Sequence, residues 1–146
     1  MNLRFVDTDA RIEKEQGMTI SKIFETKGEN YFRELETETL RELLENNERC
    51  VISVGGGLPL REANRKLLQQ LGKVIYLKAQ PDTIYNRVKG DTTRPLLQTK
   101  NPKARIEEML SAREEKYMAA AGKIVRVDEK DIFEIVDEVL KIIKED

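Results

Sequence analysis

The chain has 146 residues, enough for one domain with a real core and too few for two. Its 26 basic and 27 acidic residues nearly cancel, so no global field points to nucleic acid or a membrane surface, and no segment approaches the ~18 apolar residues of a membrane span. It holds no histidine and one cysteine, Cys50, which excludes His-based triads, His-ligated metal sites and internal disulfides and fits a reduced cytoplasmic interior.

In chain order, Leu3–Val6 reads as a brief strand ending in Asp7-Thr8-Asp9, and Arg11–Gln16 as a helix stopped by Gly17. Thr19–Lys27 is a short helix with Ile20, Ile23 and Phe24 on one side and Gly28 at its end. Glu29–Asn47 is a long helix whose stripe includes Phe32, Leu35, Leu40, Leu43 and Leu44. The run Cys50-Val51-Ile52-Ser53-Val54 stops in Gly55-Gly56-Gly57 and reads as a buried parallel strand. A helix from about Leu60 to Leu71, a strand at Val74–Leu77 and a helix from Pro81 to about Lys89 follow. Gly90–Pro102 lacks periodicity and reads as a mobile loop. A helix from Lys103 to about Ala121 leads into a strand at Ile124–Val127. The last helix, Asp131–Lys144, repeats Ile132, Ile135, Val136, Val139, Leu140 and Ile143 at helical spacing. Alternating strands and helices imply right-handed crossovers and a parallel sheet with helices on both faces, an α/β fold.

Three glycines at the carboxyl end of a strand leave an uncovered backbone where a ligand can approach main-chain N–H groups; the alternative is a tight turn that needs positive φ. Ile106, Leu110, Arg113 and Tyr117 fall on one helical stripe, so Arg113 points inward, and Arg33 lies on the Leu40/Leu44 side of its helix. Each arginine meets a buried carboxylate, faces an anionic ligand, or snorkels out at the rim. Arg94 stands in a basic stretch, from Arg87 and Lys89 to Lys100, Lys103 and Arg105, that coincides with the aperiodic loop. That is the arrangement of a lid closing over phosphates, or else an ordinary solvated face. Asp7 and Asp9 share a strand face, where one can serve a Mg²⁺-bound water and the other a substrate hydroxyl; Asp-Thr-Asp is equally a helix N-cap. Together these features suggest phosphoryl transfer to a small anion.

Phe5-Val6-Asp7-Thr8-Asp9, Gly28-Glu29-Asn30-Tyr31-Phe32-Arg33-Glu34-Leu35-Glu36, Gly55-Gly56-Gly57, Thr93-Arg94-Pro95-Leu96-Leu97, and Arg113 with Tyr117 stand in one order along the chain. In these motifs the chain resembles the shikimate kinase family over essentially its whole length. The resemblance implies a P-loop kinase fold of the nucleoside-monophosphate-kinase type and ATP-dependent phosphorylation of shikimate to shikimate 3-phosphate, a step of aromatic amino acid (chorismate) biosynthesis, in a cytoplasmic monomer without nucleic-acid or membrane partners. It implies that Asp9 holds and helps deprotonate the accepting hydroxyl, that Asp7 acts near Mg²⁺ through water, and that Arg33 and Arg113 grip the shikimate carboxylate. Gly55, Gly56 and Gly57 then line the substrate, Arg94 is the lid arginine on the ATP phosphates (lid about residues 88–102), and Arg87 lies by the adenine.

The family opens with a strand, a Gly-x-x-Gly-x-Gly-Lys-Ser/Thr phosphate loop and a helix, and no G-x-x-x-x-G-K-[ST] occurs in these 146 residues. The expectation is a single domain, 1–146, that lacks the first βα unit of its family, with Met1 an internal methionine or a late start. Glu115 stands where the family often has proline, and after Val127 only Lys130 offers a basic group near the adenine. Two other functions fit parts of the pattern. One is a related small-molecule kinase acting on a sugar acid, and the other is a non-catalytic module that keeps the substrate pocket and lacks the nucleotide site.

Overall fold

The strand that starts the chain turns into helix within one residue, because an aspartate caps the turn. In the computed structural model, which describes residues 3–89 and 100–145, β1 (Arg4–Asp7) runs straight into α1 (Thr8–Gln16). Asp7 Oδ1 accepts from the N–H groups of Asp9, at 3.0 Å, and Ala10, at 3.2 Å, and Gly17 ends the helix in the left-handed region at φ 67°. Thr19 caps α2 (Ile20–Lys27) in the same way, through the N–H of Lys22. Gly28, at φ 91°, turns α2 into α3 (Glu29–Asn46). β2 (Cys50–Ser53) pairs in parallel with β1, Phe5 opposite Val51. A 3₁₀ turn, Leu58–Leu60, and α4 (Glu62–Leu71) complete the first of two compact units, Met1–Gly72. Its core is Ile12, Ile23 and Phe32, flanked by Met18, Ile20 and Leu35, with Leu40, Leu43, Leu58 and Leu68 also buried.

The second unit, Lys73–Asp146, holds β3 (Ile75–Lys78), α5 (Pro81–Val88), α6 (Pro102–Ala120), β4 (Lys123–Arg126) and α7 (Ile132–Lys144). β3 and β4 pair in parallel, Leu77 opposite Val125. Asp131 and Glu134 form a reciprocal capping box at the start of α7. The buried apolar side chains here are Ile106, Ala120, Val125 and Val127.

Two expectations about burial are corrected. The β2 strand is parallel but not buried: Val51 is exposed and Cys50 and Ile52 are half-buried, because among the described residues β2 pairs with β1 alone. In α7 the apolar stripe has the expected spacing, yet no α7 residue is buried, and Ile132 and Phe133 are 69% and 78% exposed. The four strands form two separate ladders, β1–β2 and β3–β4, with no β2–β3 pairing among the described residues. Element ends otherwise shift by one or two residues, except that α1 begins three residues early, at Thr8, and a 3₁₀ turn precedes α4.

Candidate active site

In the first unit the glycine segment reaches both Asp9 and Arg33. A Cβ on Gly55 would lie 2.9 Å from Asp9 Oδ1 and 3.0 Å from Oδ2. One on Gly57 would lie 2.6 Å from Arg33 Nη2 and 2.7 Å from Cζ. Among the described residues the positive-φ glycines are Gly17, Gly28 and Gly72, and Gly57 has φ −88°. Gly55 and Gly57 are therefore required for close approach, and the tight-turn alternative, which needed positive φ, falls away. Gly56 sits between these two contacts.

Of the two readings of Asp-Thr-Asp the structure shows the helix N-cap, and Asp9 stands in the first turn of α1 and not on a strand face shared with Asp7. Asp7 is the N-cap of α1. Asp9 sits half-buried in the first turn, and its Oδ1 is a buried acceptor with no hydrogen-bond partner among the described residues, as is the hydroxyl of Thr8. Burial, then repulsion from Asp7 and Glu13, pushes the Asp9 carboxyl above the ordinary aspartate range, and Arg33 pulls it partly back. A carboxylate that takes up a proton more readily than usual and has an unpaired acceptor suits a general base.

Of the options open for Arg33, the structure selects a buried carboxylate. Arg33 Nη1 donates to Glu36 Oε1 at 2.7 Å, and Nη2 reaches Glu29 Oε1 at 3.3 Å. Glu36 is 1% exposed and the Arg33 side chain 18%. The guanidinium also lies over the rings of Phe32 and Phe24, 5.5 and 6.0 Å from their centroids. Burial raises the Glu36 carboxyl above the ordinary glutamate range even though the Arg33 hydrogen bond and charge act to lower it. Sequence reasoning missed Glu36, although the signal was present: Phe32, Glu36 and Leu40 fall at i, i+4, i+8, which puts an acid on the apolar stripe three residues from an arginine.

In the second unit Arg113 is half-buried, as its position on the stripe predicted, and among the described residues it has no ion-pair or hydrogen-bond partner. The neighbouring Glu114 accepts from the Tyr76 hydroxyl at 2.7 Å and pairs with Lys78 Nζ at 2.8 Å, which ties α6 to β3. Those two partners, Lys78 foremost, hold the Glu114 carboxyl below its ordinary range, and burial and Glu114 together push the Tyr76 phenol up. Arg87 Nη2 donates to the Val127 carbonyl at 3.2 Å, at the start of the loop where the sequence placed adenine contacts. Asp128 in that loop accepts from the Gln80 N–H and the Thr83 hydroxyl, fixing the start of α5. Lys130 pairs with Glu138. Residues 90–99 lie outside the described residues, and with them Arg94 and most of the lid expectation.

The chain as a whole is similar to known proteins. The sequence model of one family, shikimate kinase, matches residues 1–144. A shikimate kinase of Ralstonia nicotianae is 39% identical over 140 residues, 96% of this chain and 73% of that protein. One of a Sulfurihydrogenibium species is 41% identical over 144 residues, 99% of this chain and 84% of that protein. Among solved structures, shikimate kinase from Acinetobacter baumannii in complex with shikimate superposes with a TM-score of 0.89 at 33% identity, covering 98% of this chain and 79% of that one. The enzyme from Aquifex aeolicus gives 0.81 at 33% identity, covering 98% and 82%. With the motifs, the α/β architecture and the matched length in agreement, the chain belongs to the shikimate kinase family, ATP-dependent transferases of aromatic amino acid biosynthesis.

Proposed function

We propose that this chain uses Asp9, Arg33, Arg113 and the Gly55–Gly57 segment to hold shikimate for phosphorylation at its 3-hydroxyl. The observation that carries this reading is the buried, unpartnered Asp9 Oδ1 against Gly55, in a segment whose other end touches Arg33. In the step so read, Asp9 accepts a hydrogen bond from the attacking hydroxyl and takes its proton as the new O–P bond forms. The bond from the γ-phosphorus to its bridging oxygen breaks, and ADP leaves. Arg33, already oriented by Glu36, pairs with the shikimate carboxylate, and Arg113 is the second arginine for that anion. Arg94 is assigned to the ATP phosphates and Arg87 to the adenine side. The working unit is taken as a cytoplasmic monomer, as the family resemblance implies; no described helix is long and apolar enough to cross a membrane.

For Mg²⁺ the candidate is Asp7. One of its oxygens caps α1, and among the described residues no group of three or more Asp, Glu, Cys or His converges, so the residues suit a contact through water and not a full ligand set. A bound Mg²⁺ neutralises phosphate charge. The test is incubation with ATP and Mg²⁺ in the presence of shikimate or gluconate, with products read by mass spectrometry. Phosphorylated shikimate, lost in Asp9→Asn, is the expected result; a sugar acid phosphorylated in preference to shikimate would overturn the assignment.

A further inference from the structure

Nothing in the motifs explains why the 3₁₀ turn after the glycines keeps its shape, since Leu58-Pro59-Leu60 is short and apolar. α4 supplies the answer. Asn64, 0% exposed, donates from Nδ2 to the Leu58 carbonyl at 2.9 Å, and Arg65 Nη1 donates to the carbonyls of Pro59, at 2.9 Å, and Leu60, at 3.0 Å. Two consecutive side chains thus engage all three carbonyls of the turn. The Asn64 amide cannot flip, because its nitrogen faces a carbonyl; its Oδ1 then accepts from the buried Thr37 hydroxyl at 2.7 Å. Thr37 lies one turn beyond Arg33 on α3, and its hydroxyl is also 3.2 Å from the Arg33 carbonyl. A continuous buried path therefore joins the backbone of Arg33, through Thr37 and Asn64, to the turn that follows Gly57.

We infer that Thr37 and Asn64 are positioning residues for shikimate. They set the separation between the Arg33 guanidinium and the glycine segment, so that Gly57 lies against the arginine and Gly55 against Asp9. This rests on the proposed role of that pocket. The register is sensitive because the segment has no side chains of its own to lock it; its internal bonds include Leu58 N–H to Gly55 O and Leu60 N–H to Gly57 O, both 3.2 Å. Removing the Thr37 hydroxyl leaves Asn64 Oδ1 buried without a donor, a loss large enough to shift the turn.

Thr37→Val, which keeps the shape and removes the donor, and Thr37→Ser, which restores it, are to be compared with the parent chain by shikimate calorimetry and by amide hydrogen exchange. A third variant, Asn64→Asp, sets a carboxylate against the Leu58 carbonyl. The inference expects Thr37→Val to weaken shikimate binding about tenfold and to lose protection at the Leu58 and Leu60 amides while the α3 amides keep theirs, with Thr37→Ser near the parent. Should Asn64→Asp fail to fold, the Thr37 pair decides alone. Parent-like shikimate affinity in Thr37→Val, or equal loss of protection across the whole unit, would overturn the inference. A parent chain with no shikimate affinity would contradict the proposed function instead, and the exchange of Leu58 and Leu60 in Thr37→Val would still support or refute the clamp.

Discussion

The two units treat their key arginines in opposite ways. In Met1–Gly72, Arg33 is held from several sides by Glu36, Glu29 and two aromatic rings, on a helix whose stripe is buried. In Lys73–Asp146, Arg113 is half-buried and has no partner among the described residues, and the most amphipathic helix of that unit, α7, has no fully buried residue. The first unit has fixed the arginine proposed for the shikimate carboxylate before any anion arrives, and this costs it a buried carboxylate. The second leaves its arginine uncommitted and apolar surface open. The first unit's proposed shikimate contacts are thus pre-organised, and the second unit's, Arg113 among them, are not.

The largest expected effect is on catalysis. A group that stabilises the transferring phosphate is worth about 10³ or more in rate, so Arg94→Ala should depress turnover of ATP with shikimate about 10³-fold while shikimate binding stays near the parent's. A coupled ADP-release assay reads this, and a raised KM for shikimate with unchanged kcat would remove Arg94 from the phosphates.

Next come the arginines and their supports. Glu36→Ala should cost about 1–3 kcal/mol in a urea melt, because it removes the shorter ion pair of a largely buried guanidinium and leaves it only Glu29, whereas Arg113→Ala, which breaks no pair among the described residues, should cost less than about 0.5 kcal/mol. Binding should reverse that order for Arg113: its removal should weaken shikimate affinity by roughly 2–5 kcal/mol if it meets the carboxylate. Undiminished affinity in Arg113→Ala would remove it from the site. Gly57→Ala should move both quantities together within the first unit. The new Cβ lands on the Arg33 guanidinium, which its pairs with Glu36 and Glu29 hold in place, so the melt should fall by about 1–3 kcal/mol and shikimate affinity about tenfold.

The smallest effect concerns Asp9. Its carboxyl is raised in the folded state, chiefly by burial, so its contribution to stability is fully present at acid pH and is lost as pH rises through the folded-state value. Asp9→Asn should therefore raise the melting temperature on the order of 2 °C at pH 7, with the difference vanishing in acid, even as it abolishes transfer. An Asn variant less stable at pH 7 than the parent would contradict the burial argument.

Local signals carried most of the fold. Caps and stops such as Asp7, Gly17, Thr19, Gly28, Pro81 and Asp131 act within one turn of backbone, so the order of strands and helices was legible from sequence, with ends that slipped by a few residues. Burial was not legible for β2 and α7, because an apolar run specifies that a face can be covered and not what covers it; β2 found a neighbour on one edge only. In the candidate site, Asp9, Arg33 and the glycines were found because their types are unusual where they stand. Glu36, Thr37 and Asn64 were passed over because acids, threonines and asparagines are ordinary surface residues until a tertiary partner, 27 positions away for Thr37 and Asn64, shows them to be buried and paired.

The central claim, that one unit is ready for its ligand and the other is not, meets its most direct test in calorimetric titration of the unmodified chain with shikimate and, separately, with a non-hydrolysable ATP analogue and Mg²⁺. Shikimate should bind with a heat that Arg33→Ala abolishes, and the nucleotide should bind at least about tenfold more weakly. Tight nucleotide binding together with no heat from shikimate would contradict the account.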